Sequence, residues 1–350
     1  MRKIIHIDMD CFFAAVEMRE DPRLCQLPLA IGGAADRRGV IATCNYVARR
    51  FGVRSAMATA HALRLCPDLR LLPGRMALYK QVSRQLHGIF ARYSASIEPL
   101  SLDEAYLDVS DSPLCGGSAT LIAQAIRRDI ARELHLTASA GVAPNKFLAK
   151  IASEQNKPDG LFVIAPGEVA AFAAQLPLAK IPGIGQKSAE RLAAAGLYLG
   201  KDVLAWPKAQ LLQQFGRTGQ MLWQRAQGLD DRPVETERAR KSVGVEHTYP
   251  ADLMEETAAL ACLPALLQEL HGRLQRHCAP ERICRQGIKL KFADFQQTTV
   301  ERSVQGWEPA LFARLLQQAW LRGLGRGVRL VGVSVGLPDE QAERQLDLPF

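Results

Sequence analysis

The fold turns on the stretch IEPLSLDEAYLDVS, residues 97–110. It is apolar and strand-like, yet two adjacent carboxylates, Asp103 and Glu104, stand at its middle. Along one continuous strand neighbouring side chains point to opposite faces, so one of the two acids would face a core. The apolar phase resolves this, because Leu100 and Leu102 take even positions while Leu107 and Val109 take odd ones. A change of phase across the acidic pair is what a tight turn between two strands produces, so the stretch reads as a hairpin with both carboxylates at its tip. Taken alone, such a pair is ordinarily solvated, since Asp is a common turn residue. The rest of the chain has to decide.

Before the hairpin, KIIHIDMD (3–10) reads as a short buried strand and CFFAAVEMRE (11–20) as a helix with Asp10 as its N-cap. A second helix is expected in ALYKQVSRQLHGIFARYS (77–94), and a third after the hairpin in SATLIAQAIRRDIARELH (118–135). The strand LTASAGVA (136–143) and the helix NKFLAKIASEQ (145–155) follow. The order strand, helix, hairpin, helix, strand is ferredoxin-like, with residues 11–73 inserted after the first strand. From about Ala165 the sequence becomes all-helical around AKIPGIGQKSAERLAAAG (179–196). DDRPVETERARK (230–241) is polar, carries a proline and suits a linker. Beyond it SVGVEHTY, LPALLQELHGRLQRHC, QGIKLKFADF, TTVERSVQ, ALFARLLQQAW and GVRLVGVSVGL repeat the order β-α-β-β-α-β. The chain ends in a polar stretch, PDEQAERQLDLPF (338–350), expected to be a flexible tail. The fold class is therefore α+β and multidomain.

At 350 residues the chain is too long for a single ordinary core. Its 44 Lys and Arg exceed its 36 Asp and Glu, and the surplus is concentrated late: residues 238–336 hold 14 basic and 9 acidic side chains. A basic module beside a more neutral one is the footprint of nucleic-acid binding. Eight cysteines without a C-x-x-C pair make neither a zinc framework nor a disulfide scaffold, and fit reduced thiols in the cytosol. No signal-peptide apolar region follows MRKII and no run is long enough to span a bilayer, so a cytoplasmic protein without a membrane partner is expected.

Asp8 lies at the end of the first strand, where a ferredoxin-like sheet brings it to the hairpin tip with Asp103 and Glu104. Three hard oxygen donors suit Mg²⁺ rather than zinc, and two such ions are a means of phosphoryl transfer. Each acid singly is more often a residue with no role. CNYVARRFGV places Tyr46 and Arg49 three apart on one helix face, with Thr43 just before. Arg49 can hold a triphosphate by forked hydrogen bonds, and Lys157, in NKPDG, lies in a loop beyond a helix. PGIGQKSAERL matches a helix-hairpin-helix element, whose glycines let backbone amides at a helix start meet a phosphate without reading bases.

Together HIDMDCFFAAVE, ATCNYVARRFGVRSAM, PLSLDEAYLDVS, ASAGVAPNKFLAKIAS and NKPDGLFVI resemble the Y-family DNA polymerases, and the likeness continues through RARKSVGVE and KLKFADFQQTT. The resemblance implies a right hand: a palm (1–10 and 74–165), fingers (11–73), a thumb (166–230), a linker (231–240) and a DNA-binding little finger (241–338), then a tail (339–350). It implies that Asp8, Asp103 and Glu104 bind two Mg²⁺ ions, with Met9 adding its backbone carbonyl. Phe13 would be the steric gate that selects deoxynucleotides, and Thr43, Tyr46, Arg49 and Lys157 would contact the incoming dNTP. Gly183 and Gly185 would meet the backbone of the primer-template DNA, with Lys187, Arg240 and Lys241 as further DNA contacts. Gln345, Leu346, Leu348 and Phe350 resemble the peptide by which bacterial polymerases dock on the sliding clamp, with Pro349 inserted before the aromatic. The implied activity is template-directed synthesis past damaged bases, poorly processive and of low fidelity because no segment remains for a proofreading nuclease, and a monomer suffices for it. The implied setting is DNA damage tolerance and untargeted mutagenesis. Two alternatives stand beside this reading: a nucleotide cyclase with a related palm, and a non-catalytic DNA-binding scaffold.

Overall fold

In the computed structural model, which describes residues 1–237, 239–276 and 280–338, strand β1 (Ile4–Met9) leads into helix α1 (Phe12–Glu20). Next come strands β2 (Leu29–Gly32) and β3 (Ile41–Cys44), helices α2 (Tyr46–Arg50) and α3 (Thr59–Leu65), and strand β4 (Arg70–Leu72). The three strands form a small sheet in the order β3-β2-β4. Helix α4 (Met76–Phe90), strands β5 (Ser96–Pro99) and β6 (Glu104–Asp108), helix α5 (Ala119–Leu134), strand β7 (Ala138–Ala143), helix α6 (Lys146–Gln155) and strand β8 (Leu161–Val163) complete the mixed part.

The main sheet runs β5-β6-β1-β7-β8, with β1 antiparallel to both of its neighbours and β8 parallel to β7. The period of two decides its faces. Ile5, Ile7 and Met9 join Ala105, Leu107, Val109, Ala138, Ala140 and Val142 in one core, closed by α4 and α5 through Tyr79, Leu86, Phe90, Ile122 and Ile126. Each large side chain removed from water there contributes about 1.5–3 kcal/mol. The opposite face, carrying Ile4, His6 and Asp8, is covered by α6, whose Phe147, Leu148 and Ile151 pack with Ile4 and Tyr106. The Asn145 side chain caps α6 by accepting from Leu148 N–H at 3.0 Å. The close seat of α6 requires a glycine: a Cβ on Gly141 would meet Ala149 O at 2.0 Å and Ser153 N at 2.3 Å.

Two local expectations are corrected. The hairpin exists, but Leu100 and Leu102 belong to its turn, and the inward residue on β5 is Ile97, paired with Leu107. Asp10 does not cap α1. The N-cap is Cys11, in the left-handed region at φ 42°, and makes no side-chain capping bond, while Asp10 is buried elsewhere.

Helices α7 (Val169–Gln175), α8 (Gln186–Ala194), α9 (Gly200–Leu204), α10 (Lys208–Phe215) and α11 (Arg217–Ala226) form the all-helical part. Their apolar residues, including Ile181 and Ile184 on either side of Gly183, share one cluster with the α6 face of the main sheet. Strand β9 (Ser242–Leu253), helices α12 (Glu256–Ala261) and α13 (Leu263–Leu274), strands β10 (Arg285–Phe292) and β11 (Gln297–Ser303), helix α14 (Pro309–Leu321) and strand β12 (Val328–Gly336) build the last module around its own core. Its antiparallel sheet runs β11-β10-β12-β9, so here the first strand is at an edge, although the order of elements matches that of the main sheet. By its internal contacts the chain divides into two units, residues 1–31, 43–54 and 68–237 in one and 32–42, 55–67 and 238–350 in the other.

Candidate active site

Asp8 and Glu104 face each other directly across the β1–β6 ladder, on the face covered by α6. The turn before Glu104 is drawn to β1 by Met9 N–H, which donates to Asp103 O at 3.1 Å. The Asp103 carboxylate itself accepts from Ser101 Oγ. Two cations from α6 and the loop after it come down on the acids. Lys150 Nζ pairs with Glu104, and Lys157 Nζ lies 2.7 Å from Asp8 and 2.6 Å from Glu154. Beneath them is His6, fully buried, with Nε2 3.0 Å from Glu104 Oε2 and Nδ1 2.8 Å from Ser153 Oγ.

The electrostatics of these groups diverge. Burial pushes Asp8 up to about 7 despite the opposing Lys157 ammonium. Burial also raises Asp103, only partly countered by the Ser101 hydroxyl. Burial works on Glu104 in the same direction, but the hydrogen bonds from His6 and Lys150 and the lysine charge outweigh it and hold Glu104 at about 2. Burial lowers His6 to about 4, so its ring is neutral at pH 7. Beside an ionised Glu104, a neutral ring must carry its proton on Nε2 and donate it, which leaves Nδ1 to accept from Ser153. Among the described residues His6, Asp8 and Glu104 offer three ligand atoms within 4.8 Å of one another. With both His6 nitrogens engaged, the donors left for a metal are carboxylate oxygens, a hard set that suits Mg²⁺ or Mn²⁺. The two ammonium groups already occupy cation positions on these carboxylates.

The residues expected to meet a triphosphate lie on α2 and around it. Asn45 caps α2 by accepting from Ala48 N–H at 2.9 Å, and the helix carries Arg49 with its guanidinium 4.7 Å from the Tyr46 ring centre. Tyr46 Oη donates to Asp10 Oδ1 at 3.3 Å, and Thr43 is half-buried on β3. Phe13, half-buried on α1, stacks on Tyr79 at 4.3 Å with the rings 12° apart. Tyr79 is itself fixed, since its hydroxyl donates to Glu17 Oε1 at 2.6 Å and Glu17 pairs with Arg75.

Of the expected DNA contacts, Gly183 has φ 94° and open space where a Cβ would stand. Gly185 is the N-cap of α8 and makes no side-chain cap, which leaves the first amides of that helix without a side-chain acceptor. Lys187 is exposed on α8, and Arg240 and Lys241 are exposed before β9. The last module adds a surface that the sequence did not disclose. Opposite its core, cross-strand rows such as Gly244–Ser334–Gly287 and Glu246–Gly332–Lys289 leave a low, glycine-lined face flanked by Arg285 and Lys291. Gln345, Leu346, Leu348 and Phe350 lie outside the described residues.

Reading the sequence singled out Asp8, Asp103, Glu104 and Lys157 but passed over His6, Lys150 and Asp10. The signal for His6 was available, since it is a polar residue in an apolar strand, two before Asp8 and hence on its face. None was available for Asp10, whose partners are distant in sequence.

Three family models match the chain: the impB/mucB/samB family over residues 7–154, its C-terminal domain over 240–348, and the DNA polymerase-iota thumb domain over 179–230. The chain is 59% identical over 348 residues to DNA polymerase IV of Aeromonas hydrophila, covering 99% of both. It is 59% identical to DNA polymerase IV of Pectobacterium atrosepticum over 99% of both, and 58% identical to that of Yersinia pseudotuberculosis over all of both. Among solved structures it is similar to a Y-family DNA polymerase chimera of Dbh and Dpo4, with TM-score 0.87, 29% identity and coverage of 95% of this chain and 98% of that one. It is also similar to an insertion ternary complex of Dbh DNA polymerase, with TM-score 0.68, 28% identity and coverage of 96% and 98%.

Proposed function

The chain belongs to the Y-family DNA polymerases, and from that premise we propose how its residues carry out template-directed translesion synthesis. The observation that carries the reading is the pairing of Asp8 with Glu104 on one sheet face, with Asp103 in the adjoining turn and two lysines balancing their charge. Asp8, Asp103, Glu104 and the Met9 carbonyl would hold two divalent ions, Mg²⁺ being the expected one. Those ions, when bound, would activate the primer 3′-hydroxyl and neutralise charge on the departing pyrophosphate. The reaction joins the 3′-oxygen to the α-phosphorus of a dNTP and breaks the bond between that phosphorus and the β-phosphate oxygen.

The remaining residues bind, orient and exclude. Arg49, Tyr46, Thr43 and Lys157 receive the triphosphate. Lys157 pairs with Asp8 and would turn its ammonium to a phosphate oxygen of the dNTP where Asp8 holds a divalent ion. Phe13, backed by Tyr79, presents a flat apolar wall against which a ribose 2′-hydroxyl collides. Positioning and charge stabilisation supply most of the rate. The amides at the start of α8, with Lys187, and the basic last module with Arg240 and Lys241 hold primer-template DNA through its phosphates, so affinity falls steeply with salt. Residues 1–10 and 74–165 serve as palm, 11–73 as fingers, 166–230 as thumb, 231–240 as linker and 241–338 as little finger. The tail at 339–350 docks on the sliding clamp through Gln345, Leu346, Leu348 and Phe350, and the enzyme acts as a monomer in the cytoplasm. No helix among the described residues is long and apolar enough to cross a membrane.

The test is primer extension on a primed template with Mg²⁺ and single dNTPs, beside an Asp103→Ala protein. Extension by the parent and none by the variant supports the assignment. DNA binding by both proteins with extension by neither returns the chain to the scaffold reading. Cyclisation of a nucleotide without DNA would favour the cyclase.

A further inference from the structure

Asp10 is 2% exposed, takes no part in capping α1, and bonds through its side chain to groups other than the three acids. Its carboxylate instead collects three neutral donors from three separate elements. Oδ1 accepts from Ser139 Oγ on β7 at 2.9 Å and from Tyr46 Oη on α2 at 3.3 Å. Oδ2 accepts from the backbone N–H of Asp159 at 2.8 Å, in the loop after α6. Asp159 stands two residues past Lys157 and adopts a left-handed φ of 51°, a conformation that aspartate tolerates better than most non-glycine residues. Arg127 supplies the second grip. Its guanidinium binds the Asp159 carboxylate at 2.6 Å and the Asp159 carbonyl, while its Nε donates to Ala138 O at 2.8 Å.

We propose that Asp10 is a positioning residue for the triphosphate, fixing Tyr46 and the Lys157 loop at one separation so that both meet the same phosphate chain. The proposal rests on the reading of Tyr46 and Lys157 as dNTP contacts. Tyr46 and Lys157 lie on segments joined by no strand pairing, and one carboxylate bonds to the phenol of the first and to the backbone next to the second. A carboxylate is the group that can do this, because it accepts at both oxygens. An asparagine of the same shape offers one accepting oxygen and an amide group that donates. It can serve the Asp159 amide only by turning its NH₂ toward the two hydroxyls, which must then accept where they had donated. Asp10→Asn therefore keeps the packing and weakens the registration, while Asp10→Ala removes it.

The experiment measures dNTP affinity on a primer-template complex whose primer ends in a dideoxynucleotide, so that binding is read without chemistry, and repeats it as single-turnover insertion on an extendable primer. For Asp10→Ala, which loses the hydrogen bonds from Ser139, Tyr46 and the Asp159 amide, the dNTP Kd should rise about tenfold or more. Primer-template affinity should be unchanged, and the maximal insertion rate should change less than the Kd. Adding Asp10→Ala to a protein that already carries Tyr46→Phe and Lys157→Ala should cost much less than in the parent, because the groups it positions are gone. Asp10→Asn, with a melting temperature at the parent's value, should raise the Kd by a smaller factor and carries the test if the alanine protein does not fold. A dNTP Kd within twofold of the parent in folded Asp10→Asn and Asp10→Ala overturns the proposal. So does an equal penalty in the Tyr46→Phe, Lys157→Ala background, or a loss confined to the maximal rate. If Tyr46→Phe and Lys157→Ala alone leave the dNTP Kd unchanged, the triphosphate reading of those two residues fails and takes the proposal with it. A loss seen with them but not with Asp10 refutes the positioning role alone.

Discussion

Replacing His6 by leucine tests whether Glu104 is held for its chemistry or merely buried. His6 gives Glu104 a neutral N–H donor at 3.0 Å, and Lys150 supplies the other partner. A hydrogen bond to a charged acceptor contributes about 1.5–3 kcal/mol, and if the carboxylate must keep its direction in the transition state, its loss slows insertion by about 10–150-fold. The fold itself should tolerate the change at pH 7. Without His6 Nδ1, the Ser153 hydroxyl can turn to the Lys150 carbonyl 2.9 Å away, and the leucine fills a site bordered by the Tyr106 ring, whose centre lies 4.9 Å from that of His6. The sign of the pH response separates the two roles further. The folded His6 titrates near 4 against 6.5 for the free side chain, so between these values the unfolded chain binds the extra proton and the parent loses stability as pH falls. Leucine lacks that liability, so relative to the parent it should gain stability on acidification, by at most ~3 kcal/mol near pH 4. The assays are single-turnover insertion at saturating dNTP and urea melts at pH 7 and 4.5. His6→Gln, which can still present an N–H to Glu104, should recover part of the rate. A His6→Leu protein that inserts within twofold of the parent refutes the reasoning, and equal losses in leucine and glutamine proteins would trace the effect to packing.

Three other perturbations have defined outcomes. Phe13→Val removes the ring stacked on Tyr79 and should raise ribonucleotide insertion relative to deoxynucleotide insertion by about tenfold or more, read as a ratio of kcat/KM values. Asp230→Asn strips the charge from a buried group that accepts from Phe147 N–H at 3.0 Å and pairs with Arg225 and Arg232. Because Arg225 is only 9% exposed, an unpaired guanidinium remains inside, and a urea melt should show a loss of about 3–5 kcal/mol. Burial works to raise Asp230, but its two arginines hold it below the ordinary carboxylate value of 3.8, so the parent keeps this contribution above that pH and loses it on further acidification, whereas the asparagine protein has none to lose. Removing residues 339–350 should leave primer extension by the enzyme alone intact and abolish its stimulation by the sliding clamp, measured as product length with and without clamp.

The elements were legible in the sequence where local pattern and tertiary fate coincide. Alternation in 104–109 gave β6, and the phase change gave the turn, though partly from the wrong residues: Leu100 and Leu102 lie in the turn, and Ile97 is the inward residue of β5. Strand order was less accessible. The two β-α-β-β-α-β modules read alike, yet β1 is central in its sheet while β9 lies at an edge. Both arrangements satisfy period-two burial, so the choice between them rests on which helix faces fit which sheet face, and that is set by side-chain volumes summed across the core rather than by any run of residues.

The site divides along the same line. Asp8, Asp103 and Glu104 could be singled out because the strand ends and the turn that carry them are local features, and the structure sets Asp8 opposite Glu104. The groups that orient the site were hidden because their partners are remote. Asp10 looked like an N-cap, since an acid just ahead of an apolar helix normally is one. The backbone at Cys11 takes another course, and the carboxylate meets donors 36, 129 and 149 residues away. A buried carboxylate with three donors from three elements is better satisfied than one bound to a single helix end, so the tertiary contacts override the local preference. His6 follows the same logic, with partners 98 and 147 residues off. In this chain, then, the residues proposed to touch substrate or metal announce themselves by type and position, whereas those that aim them are recognised only once the sheet is assembled. That is why Asp10 and His6, rather than the acids, are where substitution tells most about how the site is held.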